Sequence, residues 1–198
     1  MTDLLPAPPV TALLLAAGYS TRFGSDKRKA TLEDGRSLLT TSLTLPCSLL
    51  DEVWVVLRPD DSPEELELPS NVRIVQDDST TQGMGHSIAC GIQRLTASSS
   101  AESVAIFLGD MPSIRTQSFE ALLRMARRDN IVIPTCNGVR GHPVLFGREF
   151  WPALCRLRGD KGAKGVIEQS SQAQCLVALD DPGIIRDIDT PEDLQPLA

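Results

Sequence analysis

One short segment near the N-terminus constrains the fold more than any other. An unbroken apolar run, residues 12–17, ends at Gly18 and leads into a polar loop that contains Gly24 and several basic residues. A short apolar run bounded by glycine is typical of a strand buried on both faces of a sheet. Glycine lets backbone N–H groups approach a ligand closely, and the basic side chains add positive charge. The segment therefore predicts a buried strand followed by an anion-binding loop, with a merely solvated surface loop as the alternative.

Apolar runs and amphipathic stretches alternate along the rest of the chain. The runs predict further strands at residues 53–57, 72–75, 104–108, 131–133, 144–146, 175–179 and 184–188. The stretches predict helices at residues 37–45, where Pro46 should end the helix, and at 60–68, 83–95, 119–126, 151–157 and 163–169. This order predicts an α/β fold with a mostly parallel central sheet and helices on both faces.

Length and charge narrow the possible functions. With 198 residues, 41% of them apolar, the chain is long enough for one domain, 1–198, of which residues 1–9 are expected to be a flexible extension. The 26 acidic and 19 basic residues give a net charge of −7, which argues against a nucleic-acid-binding face. A local basic cluster, residues 22–29, suits a small polyanion such as a nucleotide instead.

The cysteine pattern and the N-terminal residues indicate in which cellular compartment the protein is expected. The five cysteines form no C-x-x-C pair, as expected of reduced thiols, and the two histidines are too few for a histidine-based metal cluster. The first ten residues lack the basic start and apolar run of a signal peptide, and no segment reaches the roughly 20 apolar residues of a membrane span. A cytoplasmic protein without a membrane partner is expected.

Residues that follow the predicted strands are the best candidates for a site, because open α/β sheets bind ligands beyond the carboxyl ends of their strands. Gln82 lies directly before the predicted helix at 83–95, whose first turn contains Gly83 and Gly85. The Gln82 amide can donate and accept hydrogen bonds, as recognition of a base requires, although the glycines could serve packing alone. Asp110 follows the strand at 104–108 and would suit Mg²⁺, which prefers carboxylates and phosphate oxygens. Asp110 could also simply cap a turn.

Five motifs, in order along the chain, resemble those of the MobA-like nucleotidyltransferases, and within that family the molybdenum cofactor cytidylyltransferases. They are LAAGYSTRFGSDK at 15–27, QGMGHS at 82–87, LGDMP at 108–112, RGHP at 140–143 with GDKGAK at 159–164, and DIDTPEDL at 187–194. The resemblance implies a single-domain, Rossmann-like nucleotidyltransferase fold.

The resemblance also implies roles for individual residues. Nucleotide binding is implied for Leu15, Ala16, Ala17, Gly18, Arg22, Gly24, Lys27, Gln82, Gly83, Ser87, Gly109 and Asp110. Acceptor binding is implied for Arg140, Gly141, His142, Gly159, Asp160, Gly162 and Ala163. Arg22 and Lys27 would be catalytic, and Asp110 and Asp189 would hold Mg²⁺, with Asp187 as the alternative second ligand. Two departures are His86, where a small residue is expected, and the pair Arg28 and Lys29, whose anionic partner is open.

The implied reaction transfers CMP from CTP to the phosphate of molybdenum-molybdopterin and releases pyrophosphate, with a molybdoenzyme or its maturation factor as a possible partner. A phosphate monoester is largely a dianion at neutral pH, so the reaction needs positioning and positive charge rather than a general base. The alternatives are guanylyl transfer to the same pterin, cytidylyl transfer to a sugar or polyol phosphate, and a non-catalytic cofactor carrier. A dinucleotide-binding Rossmann domain is disfavoured because G-x-G-x-x-G is missing after the first strand. LAAG, rather than LAGG, favours CTP over GTP.

Overall fold

The computed structural model describes residues 9–20 and 23–194. The strands are β1 (Val10–Leu15), β2 (Val53–Leu57), β3 (Arg73–Gln76), β4 (Ser103–Leu108), β5 (Ile131–Cys136), β6 (Val139–Arg140), β7 (Val144–Gly147) and β8 (Gln174–Ala178). The α-helices are α1 (Leu38–Leu49), α2 (Met84–Ser98), α3 (Thr116–Met125), α4 (Trp151–Leu154) and α5 (Lys164–Gln169). Arg22 and almost all of the predicted N-terminal extension, residues 1–9, lie outside the described residues.

The eight strands form one sheet in the order β3-β2-β1-β4-β7-β5-β6, with β8 paired to β5. The pairs β1–β2, β1–β4, β2–β3 and β5–β8 are parallel, whereas β7 runs antiparallel to β4 and β5. The predicted α/β class with a mostly parallel sheet is therefore confirmed.

The core lies on both faces of the sheet, and neighbouring residues of β1 contribute to opposite faces. Leu14 packs with Phe107 and with leucines of α1 and α3, and Leu13 packs with Ile106 and with residues of α2, α4 and α5. Both leucines are fully buried. A strand covered on both faces needs apolar side chains at every position, and for that reason the run at 12–17 does not alternate.

Three local predictions are wrong. Helix α1 continues through Pro46 to Leu49, because Leu50 N–H donates to the Pro46 carbonyl at 3.0 Å and the preceding leucines pack against the sheet. Residues 60–68 form turns instead of a helix; Glu67 has a φ of +51°, which ends any helical run there. Residues 184–188 form no strand, since the Asp181 carboxylate accepts from Gly183 N–H and begins a 3₁₀ turn, Pro182–Ile185.

The sheet brings three segments to one edge. β1 and β4 end side by side, with Leu15 opposite Leu108, and Gly109 N–H donates to the Leu15 carbonyl at 3.0 Å. β7 runs antiparallel to β4, so the start of β7 lies beside the end of β4. His142, two residues before β7 begins, therefore lies at this same edge of the sheet. Among the described residues, no helix combines the length and the apolar character that crossing a bilayer requires.

Candidate active site

Lys27 joins two of the predicted site carboxylates. Its Nζ donates to Oδ2 of Asp110 at 2.7 Å, to Oδ1 of Asp189 at 3.0 Å and to the Ile188 carbonyl at 2.8 Å. An ammonium group has three hydrogens, so these bonds use all of its donor capacity. Burial lowers the pKa of Lys27, but hydrogen bonds and charge from Asp110 and Asp189 outweigh burial and raise it. The side chain therefore carries its positive charge at the end of β4.

Three carboxylates, two of them bound to this ammonium group, form a cluster. Asp110, Asp187 and Asp189 each offer an oxygen, and these oxygens lie within 4.8 Å of one another. Oδ1 of Asp110 is buried and has no hydrogen-bond partner among the described residues. A buried acceptor without a partner is costly, and carboxylate oxygens are the ligands that hard divalent cations prefer. The cluster has the chemistry of a divalent-cation site, and it brings together both alternatives for the second predicted ligand.

The turn that holds Asp189 is fixed by Asp193, a residue of the motif at 187–194 for which no role was predicted. Oδ2 of Asp193 accepts from the Thr190 N–H at 2.8 Å, the Thr190 hydroxyl at 2.9 Å and the Asp189 N–H at 3.1 Å. These bonds lower the pKa of Asp193, and the bonds from Thr190 have the largest effect. Ile188 N–H in turn donates to the Asp110 carbonyl at 3.0 Å. The C-terminal motif is thus attached directly to the end of β4.

One cleft, of about 420 Å³, opens beside these carboxylates and is called the first cleft here. Its lining comprises Leu15, Ala17, Gly18, Tyr19, Thr80, Thr81, Gly83, Met84, Ser87, Leu108, Asp110 and Asp160. A smaller recess of about 60 Å³ adjoins it and contains Ala16, Lys27 and Gly109. Most residues predicted to bind the nucleotide therefore line one continuous region. Gly24 and Gln82 line neither cavity, and Arg22 lies outside the described residues.

A second cleft, of about 310 Å³, lies on the other side of Met84. It contains five of the predicted acceptor-binding residues, namely Arg140, Gly141, His142, Gly162 and Ala163. Much of its lining is apolar; Lys161 and Lys164 add positive charge, and Glu168 adds one negative charge. Leu15, Met84 and Leu108 line both clefts, which are therefore adjacent. Asp160, for which acceptor binding is predicted, lines the first cleft and not the second.

His142 is the one imidazole in the second cleft. Burial lowers its pKa, although the charges of Asp110 and Asp187 act in the opposite direction. Its backbone N–H donates to the Ile184 carbonyl at 2.8 Å, and Nδ1 is buried without a hydrogen-bond partner among the described residues. A neutral imidazole here can hydrogen-bond a ligand but adds no charge.

The anionic partners of Arg28 and Lys29 belong to the protein. Arg28, only 4% exposed, donates to Asp61 at 2.5 and 2.7 Å, to Asp26 at 2.6 and 2.8 Å and to the Ala16 carbonyl at 2.8 Å. Burial lowers the pKa of Arg28, but these bonds raise it well above its usual value. Lys29 pairs with Glu65 at 3.1 Å on the surface. The buried guanidinium of Arg28 is therefore taken up by carboxylates and a carbonyl of the protein itself.

Arg58 extends this network to the first cleft. It donates to the Gly18 carbonyl, lies 3.4 Å from the Ala17 carbonyl and 3.4 Å from Asp26, and stacks 4.6 Å from the centre of the Tyr19 ring. Arg28 and Arg58 thus both donate hydrogen bonds to backbone carbonyls of the segment that follows β1. The roles of Arg58 and Asp61 were not predicted, because no local pattern links them to Arg28, which is 30 and 33 residues away in the chain.

Comparisons with known proteins agree with this geometry. Residues 12–174 match the MobA-like NTP transferase domain. The purine catabolism protein PucB of Bacillus subtilis (strain 168) is 28% identical, and the similarity covers 94% of this chain and 95% of PucB. Molybdenum cofactor cytidylyltransferase of Escherichia coli (strain K12) is 25% identical over 93% of each chain.

A solved structure adds a likeness in fold. Rv0371c of Mycobacterium tuberculosis H37Rv, crystallised in complex with manganese, superposes with a TM-score of 0.74 over 93% of this chain and 95% of that one, at 22% identity. The domain match spans most of the sequence and includes Lys27, Asp110 and both clefts' strands. The chain therefore belongs to the MobA-like NTP transferase family and is a nucleotidyltransferase.

Proposed function

We propose that this enzyme transfers the cytidylyl group of CTP to the phosphate of molybdenum-molybdopterin and releases pyrophosphate. The observation that carries the proposal is the pair of adjacent clefts, which share Leu15, Met84 and Leu108 beside the carboxylates. A nucleotide in the first cleft and an acceptor in the second would place their phosphates near Asp110. Holding two reactants in this way converts a bimolecular step into an effectively unimolecular one.

The second cleft suits an acceptor with a ring system and an anionic end. Its lining combines aliphatic and aromatic side chains with three basic residues, Arg140, Lys161 and Lys164. One acidic residue, Glu168, also lines it and pairs with Lys164 at 3.8 Å. A pterin with a phosphate group combines these two properties. In the proposed assignment, His142 forms a hydrogen bond with the acceptor substrate, either as donor or as acceptor of the hydrogen.

The same proposal includes a divalent cation, Mg²⁺, held by Asp110 with Asp187 and Asp189. The partnerless Oδ1 of Asp110 and the grouping of three carboxylates support this assignment. The manganese complex of Rv0371c is a property of that protein and supports divalent-metal use here by analogy. When bound, such a cation supplies positive charge that phosphate oxygens require.

The protein's own part in the reaction is positioning and charge. The acceptor phosphate is largely dianionic at neutral pH, so no side chain needs to remove a proton from it. We assign Lys27, with Arg22, to the negative charge that develops on the nucleotide phosphates. Lys27 donates all three of its hydrogens to protein oxygens, so it must exchange at least one of them for a phosphate oxygen.

CTP is preferred over GTP in this proposal for two reasons. The loop after β1 carries LAAG at residues 15–18, and the similarity to the E. coli cytidylyltransferase extends over 93% of both chains. We further infer a cytoplasmic enzyme that passes its product to a molybdoenzyme or a maturation factor. All five cysteines are free thiols, as a reducing compartment would leave them.

A thermal melt of the purified protein against CTP, GTP, ATP and UTP, each with and without Mg²⁺, tests the nucleotide assignment. A ligand at about 100 times its Kd adds roughly 2.7 kcal/mol to the stability of the native state. At this chain length each kcal/mol raises Tm by about 2–4 °C. A Mg²⁺-dependent shift with CTP alone is expected. A shift with GTP alone would indicate guanylyl transfer, and no shift with any nucleotide would contradict the assignment of the first cleft.

A further inference from the structure

The loop at residues 158–163 lies between the two clefts. Asp160 lines the first cleft, and Gly162 lines the second. The loop is attached to the first turn of α2 by two hydrogen bonds that both involve Gly159. Gly85 N–H donates to the Gly159 carbonyl at 2.7 Å, and Gly159 N–H donates to Nδ1 of His86 at 3.0 Å.

The packing at this attachment leaves no free space. A Cβ atom at Gly85 would lie 2.8 Å from the carbonyl oxygens of Arg158 and Gly159, and one at Gly162 would lie 2.9 Å from Sδ of Met84. A Cβ atom essentially never lies this close to a carbonyl oxygen, so at residue 85 only glycine fits against the backbone of the loop.

Nδ1 of His86 has two partners that require opposite protonation states. The Gln82 carbonyl oxygen also lies 3.0 Å from this nitrogen. A ring nitrogen without hydrogen can accept from Gly159 N–H, whereas a nitrogen that carries hydrogen can donate only to the carbonyl. The two bonds exclude each other, and only the first attaches the loop to α2.

We propose that His86 is a positioning residue: with Nδ1 unprotonated and Nε2 carrying the hydrogen, it holds the 158–163 loop against α2 and so fixes the wall between the two substrates. When Nδ1 instead donates to Gln82, the loop loses one of its two bonds to the helix. The role for His86 rests on the proposed function of the two clefts, although the attachment of the loop does not depend on which substrates bind.

Hydrogen–deuterium exchange of the full chain without substrates tests the attachment. The variants are His86→Leu, which keeps similar bulk but has no acceptor, and His86→Asn, whose Oδ1 can take the place of Nδ1. In His86→Leu, amides of the 158–163 loop should exchange roughly 3- to 10-fold faster, as expected for the loss of one hydrogen bond. In His86→Asn, exchange should return toward that of the wild type.

Steady-state kinetics with CTP and molybdopterin test the positioning role. His86→Leu should raise KM for the acceptor roughly 3- to 10-fold, and the Tm shift with CTP should fall as well, because Asp160 of the same loop lines the first cleft. His86→Asn should restore the acceptor KM.

Equal loop exchange in the three proteins, or a Leu effect that Asn does not reverse, would overturn the attachment. Faster loop exchange with an unchanged acceptor KM would overturn the positioning role. If the wild type itself shows no Tm shift with any nucleotide, the proposed function fails, while the exchange data still decide whether His86 holds the loop.

Discussion

Nζ of Lys27 lies 2.7 Å from Oδ2 of Asp110, although 83 residues separate them in the chain. The same ammonium group contacts Asp189, which lies 162 residues after Lys27 in the chain. One side chain therefore joins the loop after β1, the end of β4 and the C-terminal motif. In the absence of substrates this ion pair keeps the carboxylates together and partly balances their charge.

Replacement of Lys27 by Met should lower turnover roughly 10²- to 10³-fold, which is the usual effect of removing one preorganised charge from a reaction centre. The matched control is Lys29→Met, because Lys29 forms an exposed pair with Glu65 and should retain near-normal turnover. Pyrophosphate release measures both. Near-normal turnover in Lys27→Met would remove Lys27 from the catalytic residues.

Replacement of Asp110 by Asn should weaken binding of a divalent cation, because it removes a charged oxygen from the group of three carboxylates. Titration with Mn²⁺, followed by electron paramagnetic resonance of the free ion, measures the affinity directly. The Mn²⁺ affinities of Asp187→Asn and Asp189→Asn show how much each of the other two carboxylates contributes to binding. Asp129→Asn, on an exposed turn after α3, serves as the control. Equal Mn²⁺ affinity in Asp110→Asn and the control would exclude Asp110 as a ligand.

Replacement of Arg28 by Met should destabilise the fold by about 3–5 kcal/mol, because it leaves Asp26 and Asp61 without their buried partner. At about 2–4 °C for each kcal/mol, Tm should fall by roughly 6–20 °C. Arg36→Met is the control, since Arg36 and Asp34 are both exposed and Tm should hardly change. Similar Tm values for the two variants would show that the Arg28 network adds little stability.

Acid should destabilise the protein through the same network. Hydrogen bonds from Arg28 lower the pKa of Asp26; burial raises that of Asp61, but bonds from Arg28 and from the Arg58 amide hold it below its usual value. An unfolded aspartate has a pKa of about 3.9. As the pH falls toward this value, the unfolded chain binds more protons than the folded chain, so the free energy of unfolding decreases. Urea unfolding between pH 3 and 7 should show a smaller loss on acidification for Asp61→Asn than for the wild type. An identical pH slope in both proteins would argue against this linkage.

The sequence was sufficient for most strands of the sheet and for the position of Asp110. The apolar run at 53–57 coincides with β2, Val53–Leu57, because a strand buried on both faces needs uninterrupted apolar residues. Asp110 could be located because it directly follows such a strand, and ligands gather at the carboxyl ends.

What the sequence did not reveal depends on partners far along the chain. Arg28 and Asp61 are 33 residues apart, and His86 contacts Gly159, 73 residues away. No local periodicity encodes either contact. The acidic stretch at 60–68 was wrongly predicted to be helical because its composition suits an exposed helix, whereas Leu66 is in fact buried within turns.

Pyrophosphate release from CTP and from GTP, each with Mg²⁺ and molybdopterin, is the most direct measurement of the proposed reaction. Release with CTP that requires both Mg²⁺ and the acceptor, and that is lost in Asp110→Asn, is expected. Release with GTP but not CTP, or no acceptor-dependent release with either nucleotide, would contradict cytidylyl transfer to this pterin.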